Sequence, residues 1–356
     1  MSTLARGISE PRTKPGPNGA ALLERLPLVT LYLSERCNSR CITCDYWRHG
    51  MADMDIGAVR RLLPDLARLR TEGVLISGGE PLLNPEWAEI AELLRTQGLK
   101  LWLLTSGLSL AKHARRASAL FDAITVSLDG TCRETYAAIR GLDAFDKVCE
   151  GIRAAAREGA PVSVRVTLQR ANFLELMRFV PLARECGARQ VSFLAVDVAN
   201  PHAFARRDDV TTDLALRAED LPRLEQLLRS LEERHAEDFR RGFIAQTPEK
   251  LWRIHQYFAA RYGQVPYPVV RCNAPEFSAV IGARGQVSPC FFIDGPESSL
   301  ATQNFALALN GDAMVRLRGD IRAGARPECL RCVCSMWREP RSVSALSLLV
   351  GGREHA

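Results

Sequence analysis

Leu28-Val29-Thr30-Leu31-Tyr32-Leu33-Ser34-Glu35-Arg36-Cys37-Asn38-Ser39-Arg40-Cys41-Ile42-Thr43-Cys44 reads as a strand running directly into a cysteine loop. The apolar run Leu28–Leu33 has strand length. The loop holds three thiols spaced C-x3-C-x2-C. Thiolates are soft ligands suited to iron–sulfur clusters or zinc. A closed structural zinc site needs a fourth ligand, and His49 is the nearest local candidate. Three thiolates on a cubane leave one iron open, which is what a catalytic cluster requires.

Outward from this loop, strand-like runs recur at Val74–Ile76, Leu101–Leu104, Ala123–Leu128, Val162–Leu168 and Gln190–Leu194. Between them lie helical patterns: Val59, Leu62, Leu63, Leu66 and Leu69; Ile90, Leu93 and Leu94; Val148, Ile152 and Ala155; Leu174, Met177, Val180 and Ala183. Short runs rich in Val, Ile and Leu that alternate with helices predict a parallel α/β sheet. Six such units suit either a doubly wound sheet or a barrel of βα units, and in both the ligands gather at the C-terminal ends of the strands.

The chain has 356 residues, 47% hydrophobic and 25% charged, with a formal charge of +6. This balance excludes collagen, coiled coil and wholesale disorder. Eleven cysteines in this length are too few for a disulfide scaffold. No apolar run approaches the roughly 18 residues of a membrane span. The polar stretch Met1 to Gly19 lacks a signal peptide's apolar core. A cytoplasmic protein with reduced thiols is expected. No block of five like charges argues for nucleic acid. The positive charge reads as a solvated basic surface, with an anionic substrate or partner as the other reading.

Further motifs sit at the strand ends. Ser77-Gly78-Gly79-Glu80-Pro81-Leu82 follows the second strand, Thr105-Ser106-Gly107 the third, and Val126-Ser127-Leu128-Asp129-Gly130 closes the fourth. Arg140-Gly141 comes in the next turn and Arg165 lies in the fifth strand. Together with Cys37, Cys41 and Cys44, these segments resemble the radical S-adenosylmethionine (SAM) superfamily over residues 28–195. The resemblance implies a partial (β/α)6 barrel and a [4Fe-4S] cluster on those three cysteines. It implies cofactor contacts from Gly78, Gly79, Glu80, Ser106, Ser127, Asp129 and Arg165. Family members often carry an aromatic just before the third cysteine, to pack on adenine. Here that residue is Thr43, and Tyr46 is the candidate instead.

Cys272, Cys290, Cys329, Cys332 and Cys334 form a second set. Cys272-x12-Gly285-x4-Cys290 resembles the opening of the auxiliary-cluster domains called SPASM and twitch, with Gly282 and Gly285 turning a hairpin. Cys329 and Cys332 would complete an auxiliary [4Fe-4S] cluster, with Cys334 the alternative fourth ligand. The count favours the shorter twitch form; a zinc ribbon is the competing reading. Cys132, Cys149 and Cys186 read as isolated buried thiols, one of which could serve as a hydrogen donor.

The expected architecture is a tail (1–26), a partial barrel (27–215), a helical linker (216–264), a small α+β twitch-like domain (265–340) and a C-terminal tail (341–356). Residues 195–215, with Pro201 and the run Arg206 to Asp209, read as a loop. Helices are expected over Leu221–Leu231 and about 248–262, with Arg234 to Arg241 a charged, solvated face. Helix signals fade beyond Val265. The implied reaction is cleavage of SAM to a 5′-deoxyadenosyl radical and hydrogen abstraction from a substrate carbon. Oxidation of a sugar or aminocyclitol leads, with the auxiliary cluster as electron acceptor. Epimerisation and modification of a peptide or cofactor precursor are alternatives. Only 26 residues precede the first expected unit and about 20 follow Cys334, which leaves little for a leader-recognition module. Asp197 and then Asp294 are the candidate general bases. A flavodoxin or ferredoxin would supply the electron; neither nucleic acid nor membrane is expected. A zinc-stabilised binding protein is the reading of another class.

Overall fold

In the computed structural model six parallel strands follow one another in sequence order: β1 (Leu28–Ser34), β2 (Gly73–Gly78), β3 (Lys100–Thr105), β4 (Ala123–Ser127), β5 (Val162–Leu168) and β6 (Gln190–Ala195). The described residues are 22–48, 50–198, 200, 204, 212–296, 299–334 and 336–338. Residues 1–21 of the tail, His49, Pro201, the run Arg206 to Asp209 and residues 341–356 lie outside them. Each expected strand is present, so the α/β fold with its six-unit partial barrel stands.

The two faces of the sheet are built differently. On β5, Val162, Val164, Val166 and Leu168 are fully buried, whereas Ser163, Arg165 and Thr167 are only partly so. Successive side chains of a strand point to opposite faces. The apolar set joins the main core with the helices, among them α1 (Ile56–Arg68), α2 (Trp87–Thr96), α3 (Leu110–Leu120) and α5 (Phe145–Arg157). The polar set lines the interior. A separate cluster of Leu28, Leu75, Trp102 and Ala123 plugs the interior between β1 and β4, with Phe291 packed on it. Gly73 leaves room for this plug: a Cβ there would lie 2.3 Å from the Trp102 ring. Trp102→Ala is expected to lower the unfolding free energy by about 3–5 kcal/mol. Denaturant unfolding measures it; a loss below about 1 kcal/mol would contradict the plug.

Two helices of the barrel have no counterpart in the sequence patterns: α3 and α4 (Arg133–Arg140). The buried face of α3 is Leu110, Ala114, Ala117 and Leu120. Alanines this small do not register as an apolar stripe. Leu174 is a further difference. It lies in a 3-10 turn before α6 (Leu176–Glu185) and is 60% exposed.

Beyond β6 come α7 (Leu221–Arg234), α8 (Ala236–Arg241) and α9 (Pro248–Ala260). The leucine stripe of α7 is buried as expected. Contrary to the fading helix signals, α10 (Ala274–Phe277), α11 (Phe305–Asn310), α12 (Asp312–Arg322) and α13 (Pro327–Leu330) follow. The charge of α12 hid it. Its buried face includes Arg318, 4% exposed, whose guanidinium donates to the Leu309 carbonyl. The cysteine region also shares the barrel's sheet. Strand β7 (Ser278–Ile281) pairs in parallel with β1, and β8 (Val287–Ser288) returns antiparallel. Gly285 turns this hairpin at φ +83°. Arg284 at its tip makes two hydrogen bonds, 2.7 and 2.8 Å, to the Glu35 carboxylate.

Candidate active site

The cysteine loop leaves the C-terminal end of β1 and is gripped from two sides. From β2, Gly79 N donates to Ser34 O and Glu80 N to Arg36 O, each at 2.8 Å. Here the glycines matter for the loop. Gly78 has φ +126°, and a Cβ on Gly79 would lie 2.4 Å from Arg36 O. From α4, Arg40 N donates to Arg140 O and Ile42 N to Ile139 O, each at 3.0 Å. Thus the C-terminal carbonyls of a helix, normally unpaired, hold the loop.

Glu80 is fully buried. It accepts from Leu82 N (3.1 Å), Thr105 Oγ1 (2.8 Å) and Ser106 N (2.7 Å), and Ser106 Oγ lies 2.5 Å from Oε2. Burial raises its carboxyl above the ordinary value while these donors pull it back. Ser106 Oγ also lies 3.1 Å from Asn38 Oδ1. Glu80 and Ser106 therefore clamp the ends of β2 and β3 to the cysteine loop. Asp129 is likewise occupied: its Oδ1 accepts from Thr167 N at 2.7 Å and its Oδ2 pairs with Arg140 at 2.8 Å. Ser127 stands opposite Arg165 in the β4–β5 register.

Burial pushes the Cys37 thiol up to about 11 and Cys44 up to about 12. A bound metal group must displace those protons. Ser39 N donates to Cys37 Sγ at 3.4 Å and Arg140 Nη1 to Cys41 Sγ at 3.4 Å. Sulfurs already accepting hydrogen bonds fit the ligand set of a cluster. Among the described residues no three His, Cys, Asp or Glu side chains close on a single ion. A cubane takes each thiolate on a different iron.

Tyr46 meets Tyr32 edge to face, centroids 5.5 Å apart. Tyr32 lies within the electrostatic reach of both Cys44 and Cys290. It thus stands between the two cysteine sets. Its place was legible in principle, since Leu28, Thr30, Tyr32 and Ser34 alternate towards one face.

All five C-terminal cysteines, Cys272, Cys290, Cys329, Cys332 and Cys334, line one small cavity. Backbone N–H groups of Ala274, Phe292 and Cys334 point at the sulfurs of Cys272, Cys290 and Cys332, at 3.5, 3.5 and 3.4 Å. This donor set fits a second cluster. Burial pushes Cys290 up to about 12 and Cys329 and Cys334 up to about 11.

A larger cavity of about 930 Å³ opens between β5, β6, α9 and this cysteine segment. Arg165, Ser192, Tyr257, Cys332 and Cys334 all line it. Arg165 Nε donates to Ser192 Oγ at 3.4 Å, and desolvation pulls its guanidinium below its ordinary value. Neither candidate base lines this cavity. Asp197 is buried behind the wall, 2% exposed, accepting from Asn200 N at 3.0 Å. Its charge raises the Cys332 and Cys334 thiols and the Tyr257 hydroxyl. Asp294 is exposed in a cleft with Arg316 and Arg326, on the side of Tyr46. The thiols of Cys149 and Cys186 are buried, as expected, and lie within electrostatic reach of each other. Cys132 lies beside Glu175, 3.8 Å from its Oε1.

The Radical SAM superfamily description matches residues 31–180, from the middle of β1 into α6. Residues 31–180 are similar to a radical SAM domain. The family uses a [4Fe-4S] cluster and SAM as cofactors. The chain is 30% identical over 192 residues to a probable GTP 3′,8-cyclase of Saccharolobus islandicus, covering 51% of this chain and 61% of the relative. It is 26% identical over 206 residues to an Fe-coproporphyrin III synthase of Methanosarcina barkeri, covering 56% and 51%. The chain thus spans between about half and three fifths of the length of these curated relatives. Among solved structures, the fold of this chain resembles that of SuiB of Streptococcus suis bound to precursor peptide SuiA. The TM-score is 0.62 at 13% identity, covering 85% of this chain and 68% of that one. That likeness is one of fold. No helix among the described residues is long and apolar enough to cross a membrane.

Proposed function

We propose that this chain is a radical SAM oxidoreductase that acts on a substrate held in the cavity between Arg165 and the second cysteine set. When bound to Cys37, Cys41 and Cys44, the cluster with SAM supplies a 5′-deoxyadenosyl radical able to abstract hydrogen from an unactivated carbon. The observation that carries the reading is the shared wall. Arg165 and Ser192 of the barrel interior line the same cavity as Cys332 and Cys334. A substrate there touches the interior face of β5 and β6 and the second set. A cluster on Cys272, Cys290, Cys329 and Cys332 would supply an electron acceptor for the oxidation.

The residues do the positioning. Glu80 and Ser106 fix the loop on which the first cysteines sit, and the Tyr32–Tyr46 pair fills the space between the two sets. Arg165, with Ser127 opposite, presents a cation to an anionic group of cofactor or substrate. A metabolite such as a sugar or aminocyclitol fits the polar interior of Ser163, Arg165 and Ser192. The described carboxylate of the cavity lining is Glu232, which accepts from Trp252 Nε1 at 2.6 Å. An external flavodoxin or ferredoxin supplies the electron.

Epimerisation is the second reading, and one observation favours it. The Cys334 sulfur side chain lines both cavities, so a thiol stands at the substrate wall. A deuterium-labelled substrate separates the two. Oxidation leaves label in 5′-deoxyadenosine and a product two electrons poorer; epimerisation returns a product at the substrate's oxidation level. Arg165→Gln is expected to weaken binding of the anionic group about ten- to a hundredfold, raising KM more than it lowers kcat. Unchanged KM values for SAM and substrate would contradict the role of Arg165.

A further inference from the structure

Cys41 differs from its two neighbours in having a fixed cation beside its sulfur. Arg140 Nη1 donates to Cys41 Sγ at 3.4 Å and Nη2 pairs with Asp129 Oδ2 at 2.8 Å. The two charged side chains are only 11% and 3% exposed. The far oxygen of Asp129 is held by Thr167 N at 2.7 Å, and its carbonyl by Asn172 Nδ2 at 2.9 Å. A continuous chain of hydrogen bonds thus runs from β5 through Asp129 and Arg140 to the Cys41 sulfur. The Arg140 backbone belongs to the same device. Its carbonyl accepts from Arg40 N, and Gly141 at φ +75° abuts that residue so closely that a Cβ would lie 2.3 Å from Arg40 O. Asp129 and Cys41 hold the Arg140 proton on against the desolvation that opposes it.

We propose that Arg140, oriented by Asp129, is a positioning residue that sets the reduction potential of the cluster carried by Cys37, Cys41 and Cys44. The proposal rests on those three cysteines being the ligands. A donor to a ligand sulfur draws electron density from it, and partners of this kind tune a metal group's potential. Reduction adds a negative charge to the group, and a buried guanidinium beside it stabilises the reduced form. Asp129 works in the opposite sense by neutralising part of that charge. The planar fork of Arg makes both contacts at once, which a lysine ammonium cannot reproduce with the same geometry.

The test is an EPR-monitored redox titration of the reconstituted full chain, following the signal that responds to added SAM. Arg140→Gln and Arg140→Met are expected to bind the full iron complement and titrate at more negative potential than the parent. Arg140→Lys should recover part of the shift. Asp129→Asn, which leaves the guanidinium less neutralised, should shift it the other way. A residue with a merely structural role gives no opposed signs. Unchanged potentials in the glutamine and methionine variants at full iron content would overturn the proposal. If those two lose the cluster, equal potentials in Arg140→Lys, Asp129→Asn and the parent would do so. Survival of the SAM-responsive signal after Cys37, Cys41 and Cys44 are all replaced would instead overturn the ligand assignment.

Discussion

Replacing Cys37, Cys41 and Cys44 together by alanine is expected to abolish cleavage of SAM while leaving about four of about eight irons bound. The two cysteine sets are separate in the structure: one loop beyond β1, and one small cavity beside the β7–β8 hairpin. The remaining irons should therefore stay on the second set. The variant should also stay folded. The loop's docking runs mainly through backbone groups, Arg40 N and Ile42 N on α4 and the Ser34 and Arg36 carbonyls on the Gly79–Glu80 turn, with one described sulfur contact to a helix, Arg140 Nη1 to Cys41 Sγ at 3.4 Å. A stability change within about 1 kcal/mol is expected. Iron analysis, product chromatography and a thermal melt read the three outcomes. Retained formation of 5′-deoxyadenosine would sink the assignment of these residues.

Glu80→Ala is expected to be the most damaging single change to the site's architecture. It strips the acceptor from Thr105 Oγ1, Ser106 N, Ser106 Oγ and Leu82 N in a fully buried position. A buried donor left unmatched costs about 1–3 kcal/mol, and several are left at once, so a loss of roughly 3–5 kcal/mol follows. The ends of β2 and β3 then lose their link, and the cysteine loop its support through Ser106 and Asn38. Iron loading of the first set should fall while that of the second holds. Glu80→Gln keeps two acceptor lone pairs and should lose less stability, about 1–2 kcal/mol. Equal stability of the alanine variant and the parent would show that the clamp does not hold these strands.

Much of this architecture was legible because parallel strands buried under helices leave dense Val, Ile and Leu runs. All six barrel strands were marked by such runs. The helices escaped where the buried face was small or charged. Those faces are Ala114 and Ala117 in α3, and Arg318 among the apolar residues of α12. The cysteines declared themselves by spacing. The partners of the polar motif residues did not, since Glu80 and Asp129 are engaged by residues 25 and 38 positions away. A sequence motif marks such a carboxylate without saying whether it faces a cofactor or a backbone amide. The two candidate bases, Asp197 and Asp294, lie outside the lining of the large cavity for a related reason. Lying just past a strand or a cysteine does not fix which side of a cavity wall a carboxylate occupies. The closeness of Cys149 and Cys186 is equally a product of the fold, which brings α5 and the end of α6 within electrostatic reach.

The most direct test of two cluster sites in one chain is a metal and product count on the anaerobically reconstituted full chain. About eight irons per chain, with SAM converted to 5′-deoxyadenosine under reduction, is the predicted result. Two zinc ions per chain and no cleavage would contradict it.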